Sequence, residues 1–519
     1  MIFNPMQLGL SMMAASIEAT QRAITPASPK KRSYDAARPS KQTAGWRTPA
    51  TSANREVQLG LPYLRHRSRD LARNQPYAAR ALEVLETWTV GTGIRPRART
   101  GSEQLNARLS EYWSDFVRHA DIEGHDDFYG LQALVARTTA EGGECLFRSL
   151  MQPTSSGLAV PLQLQILEGD HIDHTINRDL PDGGRIVMGV HVDVAGRVQG
   201  YEVLPYHPGE SPLARGPSRP EFMTRDEIKL VYERARPGQY RGVPRGVSAF
   251  LRARMMDDYE IAELDRKRLE ASLAMVVRGL MPSDMLDLED DEDGGETLSP
   301  TTTNGDGELI DVMSPGQIAY LQNAGDVEFP TVPASQGFVE FKRSQIQAVA
   351  TAYGVTYEMI SGDVSQANYS SSRAGFLIAM RSVKKLQQVV IRQFSQPVWD
   401  RMLETLEALG KIPVGTSREV DWQTPPMPSV DPTKDVIADQ RAVRSGFKSL
   451  RMVAAERGQN LDDMLREIAE DNRLMDTLGI VLDTDPRKVT LSGVDQFADP
   501  REDTAPENNT AQQQKLPKD

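Results

Sequence analysis

The chain has 519 residues, 39% of them hydrophobic and 25% charged, and carries a formal net charge of −12 at pH 7. That length implies roughly two to four subdomains, and the negative balance argues against a broadly nucleic-acid-binding surface. No run of roughly 18 apolar residues occurs, which excludes a membrane-spanning helix, and a Met-rich start broken by Pro5 and Gln7 does not read as a signal peptide.

Residues 1–56 are rich in Ser, Thr, Pro and Ala, with eight Lys or Arg against three acids, and predict a disordered basic arm. From Leu61 a helical pattern begins. Tyr77–Glu86 is strongly helix-forming and stops at Gly91-Thr-Gly93. Leu105, Leu109, Trp113 and Phe116 continue at helical spacing, and Leu131, Leu134 and Val135 mark another helix. The single cysteine, Cys145, excludes an intrachain disulfide and reads as a buried thiol suited to a reducing cytoplasm. Between Cys145 and Tyr232 the period shortens to two: Leu162–Ile166, Val190–Val194 and Val198–Val203 alternate, with turns at Asp182-Gly-Gly184 and Ala195-Gly196. A small β-rich subdomain therefore interrupts helices, and the fold class is α+β, mainly helical.

A turn-rich stretch, Arg236–Pro244, leads into a helix over about 247–277 with Leu251, Met255, Tyr259, Ala262, Leu269 and Leu273 as its apolar stripe. A helix of about 30 residues makes a rod of roughly 45 Å. Acidity then concentrates: Gly279–Phe341 holds fourteen Asp or Glu and no Lys or Arg, more than the net charge of the whole chain, so the remainder is slightly basic. A second helix runs from about Gly337 to Tyr353, with Phe338, Phe341, Ile346, Val349 and Tyr353 as its stripe. Gly354–Ser372 reads as a polar loop, and a third long helix spans about Arg373–Leu409, ending at Gly410. Trp422–Pro432 is a stiff, proline-rich linker. A final helical unit, Asp431–Leu478, precedes a polar tail.

Motifs for chemistry are sparse. Asp170-His-Ile-Asp-His174 has metal-ligand residue types, but no helix sets two of them on one face, so it reads as a surface turn and no metal site is assigned. Glu141-Gly-Gly-Glu144 reads as a helix C-cap followed by a strand start. The phosphate-cradling pattern G-x-x-x-x-G-K-[ST] and the G-x-S-x-G elbow do not occur. No catalytic residue and no cofactor is expected. Arg381, Lys384, Lys385 and Arg392 lie along the third helix, near Arg373, as a basic stripe suited either to solvation or to phosphates.

The order of rod, acidic insert, returning helix, polar loop and long helix resembles the lambda-type family of phage portal proteins. Four stretches carry the resemblance: Val231–Pro244, Ala352–Asp363, Asn368–Gly375 and Asp431–Asp435, within an overall likeness over about residues 60–480. The resemblance implies a portal fold: a wing over 57–246 returning over 373–425, stem helices at 247–276 and 337–353, an acidic clip at 277–336, a tunnel loop at 354–372, a crown at 430–482 and a disordered tail at 483–519. It implies a homo-oligomeric ring of about twelve subunits at one capsid vertex of the virion, assembled in the host bacterial cytoplasm, without membrane contact. Double-stranded DNA would pass through the ring. The terminase large subunit, the head–tail connector and the major capsid or scaffold protein would be its partners. Ser365, Gln366, Asn368, Tyr369, Ser370 and Ser371 would form the tunnel loop, Arg373, Lys384 and Lys385 would face DNA, and Asp290, Asp291, Glu292 and Asp293 would dock partners. The competing readings are a ring-forming tail or capsid structural protein and, less favoured, an enzyme of the packaging machinery.

Overall fold

The computed structural model describes residues 41, 44–46, 48, 50–210, 219–278, 317–321, 326–328, 337–366, 369–426 and 432–480. Met1–Ser52 and Ala53–Asp519 form separate units, and every element below belongs to the second. The first helix, α1 (Ala53–Asn74), starts inside the stretch read as a disordered arm. Val57, Leu61, Arg65, Ser68 and Leu71 recur along it at three- and four-residue steps and make up its buried face. Helix α2 (Pro76–Val90) has proline in its first turn, and the Gln75 side chain caps it by accepting from Ala78 N at 2.6 Å. After strand β1 (Arg95–Ala98) come α3 (Glu103–His119) and α4 (Phe128–Gly142), and α4 ends on Gly143 in the left-handed region.

Strands β2 (Glu144–Met151), β3 (Leu162–Glu168) and β9 (Ile228–Tyr232) form an antiparallel sheet ordered β3-β2-β9. A five-stranded meander lies between them in sequence: β4 (Arg178–Asp179), β5 (Arg185–Val187), β6 (Val190–Val192), β7 (Val198–Val203) and β8 (Glu221–Thr224). Alternating Val190, Val192 and Val203 turn inward against Leu146 and Ile228, as the period-two pattern requires.

Helix α5 (Phe250–Ser272) is shorter than its pattern suggests, because the chain switches to strand β10 (Leu273–Arg278), where Val276 and Val277 favour extended backbone. Its 23 residues give a rod of roughly 35 Å. Its face is also displaced from the predicted one. Ala253 and Met256 are buried, whereas Leu251 and Met255 are 73% and 70% exposed. Strand β10 pairs in parallel with β11 (Gln317–Leu321) and antiparallel with β12 (Asp326–Glu328). Helix α6 (Phe338–Tyr353) returns against α5, with Tyr259 edge-on to Phe341 at 5.1 Å and Lys342 paired to Glu260 at 3.2 Å. Ile346, Val349 and Tyr353 of the predicted stripe are buried.

A short helix α7 (Tyr357–Ser361) occupies part of the predicted loop, and α8 (Tyr369–Val390) begins before Arg373. The long helix is not continuous. A π-turn at Ile391–Ser395 separates α8 from α9 (Gln396–Ala408), because Pro397 in the first turn of α9 lacks the N–H that the carbonyl of Gln393 would otherwise accept. The turn is held from both sides. Gln132 Nε2 donates to Ser395 Oγ at 3.0 Å, and Gln393 exchanges hydrogen bonds with the backbone N–H and carbonyl of Tyr232 at 2.9 and 3.0 Å. Phe394 on the same turn stacks on Phe128 and meets Phe147 edge-on, within a core shared with Phe116 and Trp399. Strand β13 (Val420–Gln423), which runs into the start of the predicted linker, pairs antiparallel with β1, and α10 (Pro432–Arg444), α11 (Leu450–Glu456) and α12 (Leu461–Leu478) make up the helical unit expected after it.

Candidate functional site

The polar turn between α7 and α8 is built around Asp363. Its Oδ1 accepts from Ser365 N at 3.0 Å and its Oδ2 from the Tyr357 hydroxyl at 3.0 Å. Hydrogen bonds from Ser365 hold the Asp363 carboxyl below its ordinary range. Arg343 on α6 donates to Gln366 Oε1 and lies over the Tyr357 ring at 5.0 Å, tying the turn to the returning helix. Ser365 and Gln366 are exposed in this turn. Tyr369, Ser370 and Ser371, read as loop, sit in the first turn of α8 instead, because Ser and Tyr are tolerated at a helix start and nothing nearby terminates the pattern. Asn368 lies outside the described residues, as do Asp290, Asp291, Glu292 and Asp293.

The three basic residues of the long helix do not share one environment. Arg373 pairs with Asp435 on α10 at 3.3 Å, and Lys385 pairs with Glu233, which also holds Arg245 at 2.8 Å. Lys384, one residue earlier and so about 100° round the helix, is exposed beside Asp421 and Trp422 and makes no ion pair among the described residues.

The stretch Val231–Pro244 folds into a charge-locked joint. Gln239 Oε1 accepts from Ala235 N and Arg236 N, and its Nε2 donates to the Arg241 carbonyl at 2.7 Å. Arg241, wholly buried, donates from Nε and Nη2 to Glu144 Oε1 at 2.8 and 2.6 Å, and also reaches the carbonyls of Met188 and Gly169 at 2.6 and 2.9 Å. Arg65 from α1 binds the same carboxylate, and Gly242 N donates to Oε2 at 2.7 Å. Burial opposes the charge on Glu144, yet Arg241 and Arg65 outweigh it and keep the carboxyl below its ordinary range. The backbones meet so closely that a Cβ on Gly242 would lie 1.9 Å from the Gly143 carbonyl. Glu144 does start a strand after a glycine cap, as its sequence suggests, but its buried double pairing has no local signature.

Asp170, in the candidate metal turn, is held by Arg69 at 2.6 Å and by Arg65 at 3.6 Å. Glu168 and His207 approach it closely enough to share a cation, but Arg69 already binds Glu168 at 2.8 Å, so guanidinium stands where an ion would. His171, also in that turn, is hydrogen-bonded through Nδ1 to the Leu204 carbonyl.

Buried charge joints, a tethered polar turn and a long helix pinned at its π-turn make up the most heavily cross-linked parts of the described residues. The chain belongs to the lambda family of phage portal proteins, structural components of the virion: the family model matches residues 39–387. It is 25% identical over 469 residues to a probable portal protein of Halomonas phage phiHAP-1, covering 86% of this chain and 88% of that one. It is 23% identical over 480 residues to the portal protein of Escherichia phage N15 (82% and 87% covered) and 21% identical over 470 residues to portal protein B of Escherichia phage lambda (82% and 86%). Among solved structures it resembles a chain in the neck of an empty gene transfer agent particle, with a TM-score of 0.42, 18% identity and 76% and 93% of the two chains covered.

Proposed function

We propose that this chain assembles into a closed ring of about twelve copies at one capsid vertex and that duplex DNA passes through the ring during packaging and ejection. Family membership supports the reading, and one observation carries the assembly: Leu251 and Met255, one turn apart on the same face of α5, are 73% and 70% exposed. A neighbouring copy covers this apolar pair by rotational symmetry.

In this reading 57–246 and 373–425 form the wing, 247–276 and 337–353 the stem, 354–372 the tunnel loop and 430–482 the crown. Ser365, Gln366, Ser370 and Ser371 touch passing DNA weakly, since strong phosphate pairing would stall movement. Of the basic residues, Lys384 is free to meet phosphate, whereas Arg373 and Lys385 must first exchange Asp435 and Glu233. The acidic run at 277–336, including Asp290, Asp291, Glu292 and Asp293, docks the terminase large subunit and later the head–tail connector. The wing meets the major capsid or scaffold protein. Electron microscopy of the purified protein tests the proposal. Rings of about twelve subunits with a hole wide enough for duplex DNA are expected, and a compact dimer without a pore overturns it.

A further inference from the structure

Between the outer strands of the β-rich subdomain and the π-turn of the long helix lies a cleft of about 730 Å3. Six of its lining residues are cationic: Arg197, Arg225, Lys229, Arg234, Lys385 and Arg392. No Asp or Glu is among the lining residues. Lys385 is paired with Glu233, but the other five make no ion pair among the described residues. Burial, together with Arg225, pushes Lys229 below its ordinary value, while the nearest opposing charges, Asp226, Asp400 and Glu404, act from beyond the lining. A chain of net charge −12 has thus concentrated cations in one hollow, where they repel each other until an anion enters.

We propose that this cleft binds a carboxylate-rich peptide segment of a partner protein. Several cations set apart around one hollow call for several anions on one ligand, which a single small ion does not provide. The cleft floor is half apolar, through Val198, Leu230, Val389 and Pro397, so the segment carries aliphatic side chains between its carboxylates. Duplex DNA bears its phosphates on the outside of a stiff rod and does not enter a half-enclosed hollow of this size. Single-stranded nucleic acid stacks on exposed aromatic faces, and neither lining aromatic is exposed: Tyr201 is buried and Tyr232 half-buried. The arginines offer the planar, bidentate geometry that carboxylates take. The segment does not add to β9 as a strand, because Gln393 already occupies the free edge at Tyr232.

The test is fluorescence anisotropy of a labelled peptide of Glu-Glu-Leu repeats titrated with the full-length protein, in unassembled and assembled fractions alike. Arg225→Glu with Arg392→Glu reverses two exposed charges without touching a packed side chain, and it is expected to weaken binding roughly tenfold or more. The neutral pair Arg225→Gln with Arg392→Gln falls between native and reversed protein, and circular dichroism melting checks that both variants fold as the native chain does. The proposal is overturned by no binding to the native protein, by equal affinity across the three proteins, or by displacement of the peptide by a short DNA duplex or by inorganic phosphate at matched charge concentration. Because the unassembled subunit is read separately, loss of ring formation and loss of this site give different results.

Discussion

Glu144 and Arg241, 97 residues apart in sequence, meet side by side with both side chains wholly buried, joined by hydrogen bonds of 2.6 and 2.8 Å. The contact fixes the start of β2 to the turn that launches α5, and Arg65 brings α1 to the same point. Replacing Glu144 by Gln leaves two buried guanidinium groups facing a neutral amide. Removing one partner from a buried ionic cluster typically costs about 3–5 kcal/mol. Urea unfolding followed by circular dichroism is expected to show a midpoint lowered accordingly, and a midpoint within experimental error of the native one would show that the joint contributes nothing.

Asp170 adds a pH dependence. Burial disfavours its charge, but Arg65 and Arg69 prevail and hold its carboxyl down to about 2, below the ordinary 3.8. A group depressed in the folded state stabilises it fully above the unfolded value and loses that contribution as pH falls through the folded value. Stability is therefore expected to decline from about pH 4 towards pH 2, by on the order of 2 kcal/mol from this residue. Asp170→Asn lowers stability at pH 7 and flattens that decline. Thermal melts at several pH values compare the two, and parallel curves would remove Asp170 from the account.

Much of the secondary structure was legible because it rests on local rules. Gly354 stops α6 and Gly410 follows α9, both with positive φ, and the alternating valines became β6 and β7. What escaped depends on distant partners. Nothing near Glu144 announces Arg241. The apolar stripe of α5 was visible, but which side faces the core is decided by α1 and α6, which pack against it and leave Ala253 and Met256 buried. Pro397 is the local signal for the π-turn in the long helix, since a proline inside a helical pattern kinks or ends it. Ser365 and Gln366 lie in a turn, but no stop signal separates Tyr369 from the helix behind it.

Two glycines beside the polar turn make opposite predictions. Gly354 has φ +80°, and a Cβ there would meet Ser382 Oγ at 2.3 Å; Gly375 is helical, with only Thr356 Cγ2 at 3.4 Å. Gly354→Ala combines left-handed strain of about 1–2 kcal/mol with that contact and is expected to destabilise measurably. Gly375→Ala exchanges a poor helix former for the best one, a gain of up to about 1 kcal/mol. Denaturant midpoints should move in opposite directions, and a shared direction would place Gly375 in a tighter setting than the helix face shown here.

The turn itself rests on exposed hydrogen bonds. Asp363→Ala removes the acceptor for Ser365 N and Tyr357 while touching no core residue, so global stability should change by less than about 1 kcal/mol. Local opening should rise, because the backbone of Gly362–Gln366 loses its anchor. Limited proteolysis is expected to cut this turn sooner in the variant, and an unchanged cleavage pattern would show that Arg343 and Gln366 suffice to hold it.

The outer face of α5 separates folding from assembly. Leu251 and Met255 contribute almost nothing to the core of their own subunit, since most of each side chain is open to solvent. Leu251→Asp with Met255→Asp should therefore leave the melting temperature of the isolated subunit nearly unchanged, whereas a core substitution of the same kind at Ala253 or Met256 would unfold it. If a neighbouring copy covers this face, the same two changes bury two unpaired carboxylates in every subunit interface, repeated around the ring. Sedimentation velocity is expected to show native protein as large assemblies and the variant as monomer at equal concentration. Assemblies of unchanged size in the variant would place the subunit contact on another surface and leave the apolar face of α5 without its proposed cover.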